Sequence, residues 1–158
     1  MLKTDERYTE YCKLLQTELV AAFGCTEPIA LAFCAAKAKE VLGAVPEKAE
    51  LRVCGNIIKN AKSVVVPGTG GLKGIEAAVA AGLAGGKSED KLEVLAHLGE
   101  TERAKIRQIL SKDIVSVQPE SCGKQLYIDL TLWAGGESSR VVIADSHTNI
   151  ITIERNGA

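Results

Sequence analysis

One long apolar segment limits what this chain can fold into. Residues 29–42, with the sequence IALAFCAAKAKEVL, are apolar almost all round at their start and carry their few charges towards the end. A helix with a single apolar face can lie on a surface, whereas a helix that is apolar all round has to be buried on several sides. We therefore predict a central helix around which the rest of the chain packs.

The segment FGCTEP, residues 23–28, marks the start of this helix. Gly24 is a typical stop for a preceding helix, which the spacing of apolar residues predicts over residues 5–22. Thr26 is predicted to be the N-cap of the second helix, because an acidic residue and a proline tolerated in a first turn follow it. Cys25 therefore lies at a joint between two helices.

The rest of the chain divides into a helical middle and a β-rich end. Residues 49–53 alternate in polarity and predict a strand, and a polar joint follows over residues 56–62. Residues 74–86 are rich in alanine and predict a helix, and two more helices are predicted to start at Ser88 and Thr101. Strand patterns cover residues 114–119, 124–133, 138–145 and 150–155.

These elements predict an α+β fold in a single domain spanning residues 1–158. The N-terminal helices and a C-terminal, mainly antiparallel sheet would pack as two layers, because each element has one apolar side to bury. Turn signals such as SCG, AGGE and SHTN separate the last strands, so an antiparallel meander is the simplest arrangement for them.

Charge and hydropathy argue against several classes of protein. Nineteen basic and twenty acidic residues give a net charge of -1, and no segment concentrates Lys and Arg as a nucleic-acid site does. No apolar run reaches the ~18 residues of a membrane span, and the polar N-terminus lacks the apolar core of a signal peptide. We expect a cytoplasmic protein that binds neither nucleic acid nor membranes.

Cys25 is the strongest candidate for a reactive group among five cysteines. Their odd number and the lack of a CxxC pair suit reduced thiols, and Cys12 and Cys34 lie on apolar helix faces. Unpaired N–H groups and the dipole at a helix start favour a thiolate, so we expect a lowered pKa for Cys25. A small buried side chain that fills the helix junction is the alternative. Cys54 and Cys122 stay undecided.

The glycine-rich segment PGTGGLKG, residues 67–74, matches neither common nucleotide-binding pattern. Both GxGxxG and the P-loop would need a glycine where Lys73 stands. A plain turn and an anion site built from backbone N–H groups are both compatible with the segment. Hydrogen-bond donors for a small carboxylate ligand stand in and near it, namely Asn56, Lys59, Asn60 and Thr69.

The two histidines differ in their surroundings. His147 lies in DSHTN, a predicted turn between strands, where it is either a base that faces a ligand or a surface residue. His97, in the predicted helix containing AHL, is interpreted as structural. Two histidines and scattered cysteines do not suit a self-contained zinc site.

Three motifs in order along the chain carry a family resemblance. GCTEPIALA, the pair NIIKNA and VVVPGT, and SHTNI resemble the N-terminal part of the L-cysteine desulfidase family, a relative of the iron-sulfur L-serine dehydratases. The resemblance runs through essentially the whole chain. It implies a lyase that works without pyridoxal phosphate and converts L-cysteine to hydrogen sulfide, ammonia and pyruvate on a 4Fe-4S cluster.

The resemblance also implies roles for particular residues. Cys25 would be one of three protein ligands of the cluster, with Thr26 and Glu27 orienting it. His147 is a candidate for the base that removes the α-proton of the substrate. The pocket for the amino-acid substrate would be shaped by Asn56, Lys59, Asn60 and Thr69.

This sequence also departs from the family pattern. Family members are longer, and their other two cluster cysteines lie in a C-terminal region that is absent here. The chain alone is therefore expected to be inactive and free of the cluster, and to need a missing C-terminal domain as its partner, with homo-oligomers possible.

Three other functions stay open. The chain could be a non-catalytic module that binds a small carboxylate or mediates assembly, or part of a deaminase similar to L-serine dehydratase. Cys25 could also be a redox or acyl-transfer nucleophile, since its position at a helix start permits this chemistry.

Overall fold

Helices come first along the chain and most strands come last. The structure, a computed structural model, describes residues 3, 5–19 and 21–158. The first elements are α1 (Glu6–Glu18), α2 (Thr26–Leu42), β1 (Lys48–Val53), α3 (Gly55–Ala61) and α4 (Ile75–Gly85). A 3₁₀ helix (Ser88–Glu93) and α5 (Glu100–Ser111) follow. The last four elements are β2 (Val115–Pro119), β3 (Tyr127–Ala134), β4 (Glu137–Ala144) and β5 (Ile150–Arg155).

Five strands form one sheet in the order β2-β1-β3-β4-β5. β3, β4 and β5 are joined as antiparallel neighbours, and β1 is antiparallel to β3. β2 instead pairs with β1 in parallel, with Ala49 aligned with Val115. The predicted α+β fold with a mainly antiparallel sheet is confirmed. The placement of residues 114–119 in the antiparallel meander is wrong, because the helices between β1 and β2 form a crossover that returns the chain in the direction of β1.

α2 lies at the centre of the fold. Eleven of its seventeen residues are buried, and it packs against α4 on one side and against β3 and β4 on another. The Ser139 hydroxyl of β4 donates to the carbonyl of Ala38 at 2.7 Å, and the Cys34 thiol donates to the carbonyl of Val141 at 3.5 Å. Burial raises the pKa of the Cys34 thiol far above its usual range. The predicted central helix and the core position of Cys34 are confirmed.

Two predicted boundaries are wrong for local reasons. The polar joint over residues 56–62 is mostly helix α3, since Ile57 and Ala61 are four residues apart and are both buried. The helix predicted to start at Ser88 is only a 3₁₀ helix, because Lys91 has a φ of 48° and breaks the helical path. Within the described ranges, none of the helices is long and apolar enough to cross a membrane.

The sheet face that the helices leave open carries an ion-pair network. Arg140 on β4 donates to both carboxylate oxygens of Asp129 on β3, at 2.9 Å each, and to Glu154 on β5 at 3.3 Å. The Asp129 carboxylate raises the pKa of the Arg140 guanidinium. Alternation along β3 and β4 puts this network on one face and Leu130 and Val141 on the other. The network therefore ties three neighbouring strands together.

Close packing of α4 on α2 gives a test of the core. A Cβ at Gly82 would lie 2.9 Å from the Cα of Ala32 and closer still to its carbonyl group. Gly82→Ala should therefore lower the free energy of unfolding by about 3 kcal/mol, because overpacking a tight contact outweighs the better helix propensity of alanine. Urea denaturation measures this change.

Gly55→Ala is the matched control, because it adds the same methyl group to a helix where no atom lies within 4 Å. We expect it to change the free energy of unfolding by no more than about 0.5 kcal/mol. Equal destabilisation by the two substitutions would contradict the tight contact between α2 and α4.

Candidate functional site

The joint before α2 is held in place by its neighbours. The backbone N–H of Phe23 donates to the carbonyl of Leu92 at 3.0 Å. Gly24 has a φ of 113°, and a Cβ there would lie 2.6 Å from Cγ of Pro67, so this position requires glycine. Cys25 follows and is itself the N-cap of α2. Its thiol is therefore presented at the protein surface from a fixed backbone.

Two predictions about this joint are wrong. Thr26 is the first residue of α2 and not its N-cap, and its hydroxyl donates to Glu27 at 3.3 Å. The pKa of the Cys25 thiol is raised and not lowered. Partial burial is the main cause, and the Glu27 carboxylate, which accepts a hydrogen bond from Sγ at 3.3 Å, is the second. Backbone N–H groups of the helix start favour the thiolate, but they are outweighed.

Glu27 is the centre of a hydrogen-bonded group of four side chains, those of Cys25, Thr26, Glu27 and Asn60, which we call the Glu27 cluster. One carboxylate oxygen accepts hydrogen bonds from Cys25 and Thr26, and the other accepts one from the side-chain amide of Asn60 at 3.0 Å. Burial by itself raises the pKa of Glu27, but its own backbone N–H and these three side chains together hold the pKa below the usual value. The charged carboxylate is thus fixed beside the thiol by donors from α2 and α3.

A cavity of about 390 Å³ opens beside this cluster. His147 and Thr26 both line it, although they are far apart in the sequence. The remaining lining residues are Thr17, Glu18, Leu92, Ser146 and Thr148. Its size lies near the lower end of the range for small-molecule sites, roughly 300–1,000 Å³, which suits a ligand as small as an amino acid.

Other residues predicted to bind substrate have different surroundings. Asn60 belongs to the Glu27 cluster, whereas the Asn56 amide donates to the carbonyl of Gln125 at 3.1 Å. Lys59 is exposed on α3 between them. α3 thus places Asn60 against Glu27 and Asn56 against Gln125, just before β3. A role for Asn56, Lys59 and Asn60 in substrate binding stays a prediction.

The glycine-rich loop is closed by its own hydrogen bonds. The Thr69 hydroxyl is buried, donates to the carbonyl of Val66 at 2.7 Å and accepts from the N–H of Leu72 at 3.2 Å. Arg103 donates from Nε to the carbonyl of Gly68 at 2.8 Å. These bonds are those of a plain turn. Contact of Thr69 with substrate stays a prediction, although its hydroxyl already has two partners.

Donor atoms for a metal are few in this part of the molecule. No group of three His, Cys, Asp or Glu residues is close enough to hold a metal ion within residues 3, 5–19 and 21–158. Cys25 and Glu27 form a pair of donors, with Sγ and Oε2 3.3 Å apart. Within the described residues, no third ligand of these types lies close enough to complete a metal site with this pair.

Several residues of this region had little sequence signal. Ser146 and Thr148 flank His147 in DSHTN, where turn chemistry alone accounted for them. Leu92 and the bond between Asn60 and Glu27 had none, because they depend on how α3 and the 3₁₀ helix pack around α2.

Comparisons with known proteins give relatives along nearly the whole chain. The chain is 50% identical over 157 residues to a UPF0597 protein of Desulfitobacterium hafniense, covering 99% of this chain and 36% of that protein. It is 43% identical over 150 residues to a UPF0597 protein of Lachnoclostridium phytofermentans, covering 95% of this chain and 36% of that protein. It is 39% identical over 150 residues to a UPF0597 protein of Treponema denticola, covering 95% of this chain and 35% of that protein.

The chain spans about a third of the length of these relatives. No family model matches it, and no solved structure matches it. These findings correct the resemblance to the L-cysteine desulfidase family. The matching proteins are named UPF0597 proteins, and their similarity extends over up to 99% of the chain, whereas the resemblance relied on three short motifs.

The balance of charges around Cys25 leads to a testable expectation. Glu27→Gln removes the negative charge beside Sγ, so the pKa of the thiol should fall, while partial burial keeps it above the usual value. The pKa is obtained from the pH dependence of iodoacetamide alkylation at Cys25, resolved by peptide mass spectrometry.

Glu137→Gln is the control, because Glu137 lies on β4 and pairs with Arg155 at 2.7 Å. It should leave the pKa of Cys25 unchanged. If Glu27→Gln raised that pKa or left it unchanged, the assigned role of the carboxylate would be wrong.

Proposed function

We propose that this chain, a homologue of the UPF0597 proteins over 99% of its length, forms part of the active site of an iron-sulfur-dependent lyase. Its substrate would be L-cysteine, and its products hydrogen sulfide, ammonia and pyruvate. The observation that supports the proposal most is the exposed Cys25 thiol, 3.3 Å from the Glu27 carboxylate, whose neighbour Thr26 lines the same cavity as His147.

Cys25 would be a ligand of the iron-sulfur cluster, and Glu27 would influence how readily the Cys25 thiol loses its proton. A thiol binds iron as a thiolate, so its proton has to leave when the cluster binds. The Glu27 oxygen that accepts the Sγ hydrogen bond is the nearest acceptor for this proton, but the pKa of Glu27 is below its usual value, so the proton would pass on to solvent. Asn60 and Thr26 donate to that carboxylate and hold it beside the thiol. Such a cluster would supply Lewis-acid activation of the leaving group when bound.

The cavity supplies the other groups that the reaction needs. His147 would remove the α-proton, since imidazole is a suitable base near neutral pH. The hydroxyls of Ser146 and Thr148 can donate to the substrate carboxylate, and the Glu18 carboxylate can accept from its ammonium group. These polar groups surround a space that suits an amino acid the size of cysteine or serine.

The remaining cluster ligands would lie outside this chain. Cys34 and Cys54 are buried, and their thiols donate to the carbonyls of Val141 and Gln125, so neither is presented at the surface as Cys25 is. The UPF0597 relatives have most of their length beyond the matched region, which leaves room for further cysteines.

A non-catalytic module that binds a small carboxylate is the second candidate. The raised pKa of the Cys25 thiol favours it, because a protonated thiol is a weak nucleophile and a weak ligand. In that case the cavity would bind L-cysteine or L-serine without any cluster. Calorimetry of the chain with each amino acid separates this candidate from the lyase.

Two exposed cysteines provide a matched test of the lyase. Cys25→Ser and Cys122→Ser make the same chemical change at two exposed thiols. In a full-length protein that contains this chain, reconstituted without oxygen with iron and sulfide, Cys25→Ser should lower sulfide release from L-cysteine more than ~100-fold, because even partners of a metal ligand are worth about 10–100-fold. The iron content of Cys25→Ser should fall as well, whereas Cys122→Ser should keep the iron content and the sulfide release of the unchanged protein.

Equal iron content and equal sulfide release in the two variants would overturn the assignment of Cys25. Faster release of ammonia from L-serine than from L-cysteine would be consistent with the iron-sulfur cluster but would make the protein an L-serine deaminase.

A further inference from the structure

A second cavity, at the opposite end of α2, is lined by lysines. It has a volume of about 260 Å³ and lies where the end of α2 meets α4, α5 and the residue before β2. Three of its ten lining residues are Lys39, Lys105 and Lys112, and none is acidic. Apart from Gln108, the rest are apolar, and they include Val45, Leu83 and Ile109.

The lysines reach this cavity from two helices. Lys39 lies in the last turn of α2, and its ammonium group donates to the carbonyl of Leu83 at 2.7 Å. Lys105 and Lys112 lie seven residues apart on α5 and the residue after it, so they face the same side. Within the described residues, none of the three forms a salt bridge.

Two of these positive charges, those of Lys39 and Lys105, repel each other beside a partly buried space. Burial lowers the pKa of Lys39, and the charge of Lys105 lowers it further. Glu102, one turn before Lys105 on α5, accepts a hydrogen bond from the N–H of Gly99 at 3.0 Å and does not line the cavity. An anion between the lysines would reduce the repulsion between Lys39 and Lys105.

We propose that this cavity binds a small organic monocarboxylate with an apolar body. The carboxylate would lie between Lys39, Lys105 and Lys112, and the apolar body would lie against Val45, Leu83 and Ile109. The volume is just below the usual range for ligand sites, roughly 300–1,000 Å³, so the ligand has to be small. This site is distinct from the Glu27 cluster and does not depend on the proposed function.

A neighbouring cavity of about 530 Å³ shares Lys39 and Val45 with this one. It also carries Lys87 together with Glu40 and Glu89, so acidic and basic side chains are equally numerous in its lining. The smaller cavity is therefore the one that selects a negative ligand.

Three probes separate the contributions of charge and apolar contact. Hexanoate has both features, acetate has only the charge, and 1-hexylamine has the apolar chain with the opposite charge. Calorimetry of the whole chain in a buffer without carboxylates should show saturable binding of hexanoate. Acetate should bind about tenfold more weakly or worse, because it lacks four methylene-sized groups. 1-Hexylamine should not bind.

Lys105→Gln tests the lysines, and Lys13→Gln is its control. Both residues are exposed, and Lys13 lies on α1 and does not line the cavity. Lys105→Gln should weaken hexanoate binding about fivefold, the size expected for one partly exposed charge pair. Lys13→Gln should leave it unchanged. Equal affinities in the two variants, or equal affinities for hexanoate and acetate, would overturn the proposal.

The position of the probe gives a readout that needs no variant. Backbone amide NMR signals of Ala84 and Ile109 should shift as hexanoate is added, while those of Ser146 and His147 stay in place. Shifts confined to Ser146 and His147 would place the carboxylate in the other cavity and would also overturn the proposal.

Discussion

Burial of α2 on several sides is the constraint on which the rest of the structure depends. The sheet covers one side of this helix, and α4 covers another through the close approach of Gly82 to Ala32. Small side chains along both helices make this approach possible, because a larger side chain would keep the backbones apart. With its middle enclosed, α2 has only its two ends near the surface. The Glu27 cluster lies at one end, and the cavity lined by Lys39, Lys105 and Lys112 lies at the other.

Opposing effects of similar size decide the chemistry at the start of α2. The helix start favours an anion, and the protein places one there, but that anion is the carboxylate of Glu27 and not the thiolate of Cys25. The pKa of the Cys25 thiol is raised first by partial burial and then by the carboxylate whose oxygen lies 3.3 Å away, so the thiol keeps its proton at neutral pH. A positive partner would favour the thiolate by compensating the second negative charge.

Periodicity predicted those parts of the fold that depend on neighbouring residues. Apolar residues all round identified α2, and alternation identified the inward face of β3, where Ile128 and Leu130 are buried. The parallel pairing of β2 and the meeting of Lys39 with Lys105 were not predictable, since each depends on contacts between distant segments. The helix α3 was missed although its buried residues Ile57 and Ala61 are only four positions apart. In the candidate site, Cys25, Glu27 and His147 were found from motifs. The direction of the pKa shift of Cys25 was not, because it is set by distances of a few ångströms.

The crossover between β1 and β2 has a consequence for how the molecule assembles. β3, β4 and β5 pair with the next strand along the chain, so their contacts close short loops, whereas Ala49 of β1 finds Val115 only after a long loop has closed. Long-range pairing is slow relative to local hairpins. The hairpins of β3 to β5 should therefore form early and β2 late. Until β2 arrives, one edge of β1 is unpaired and open to other chains.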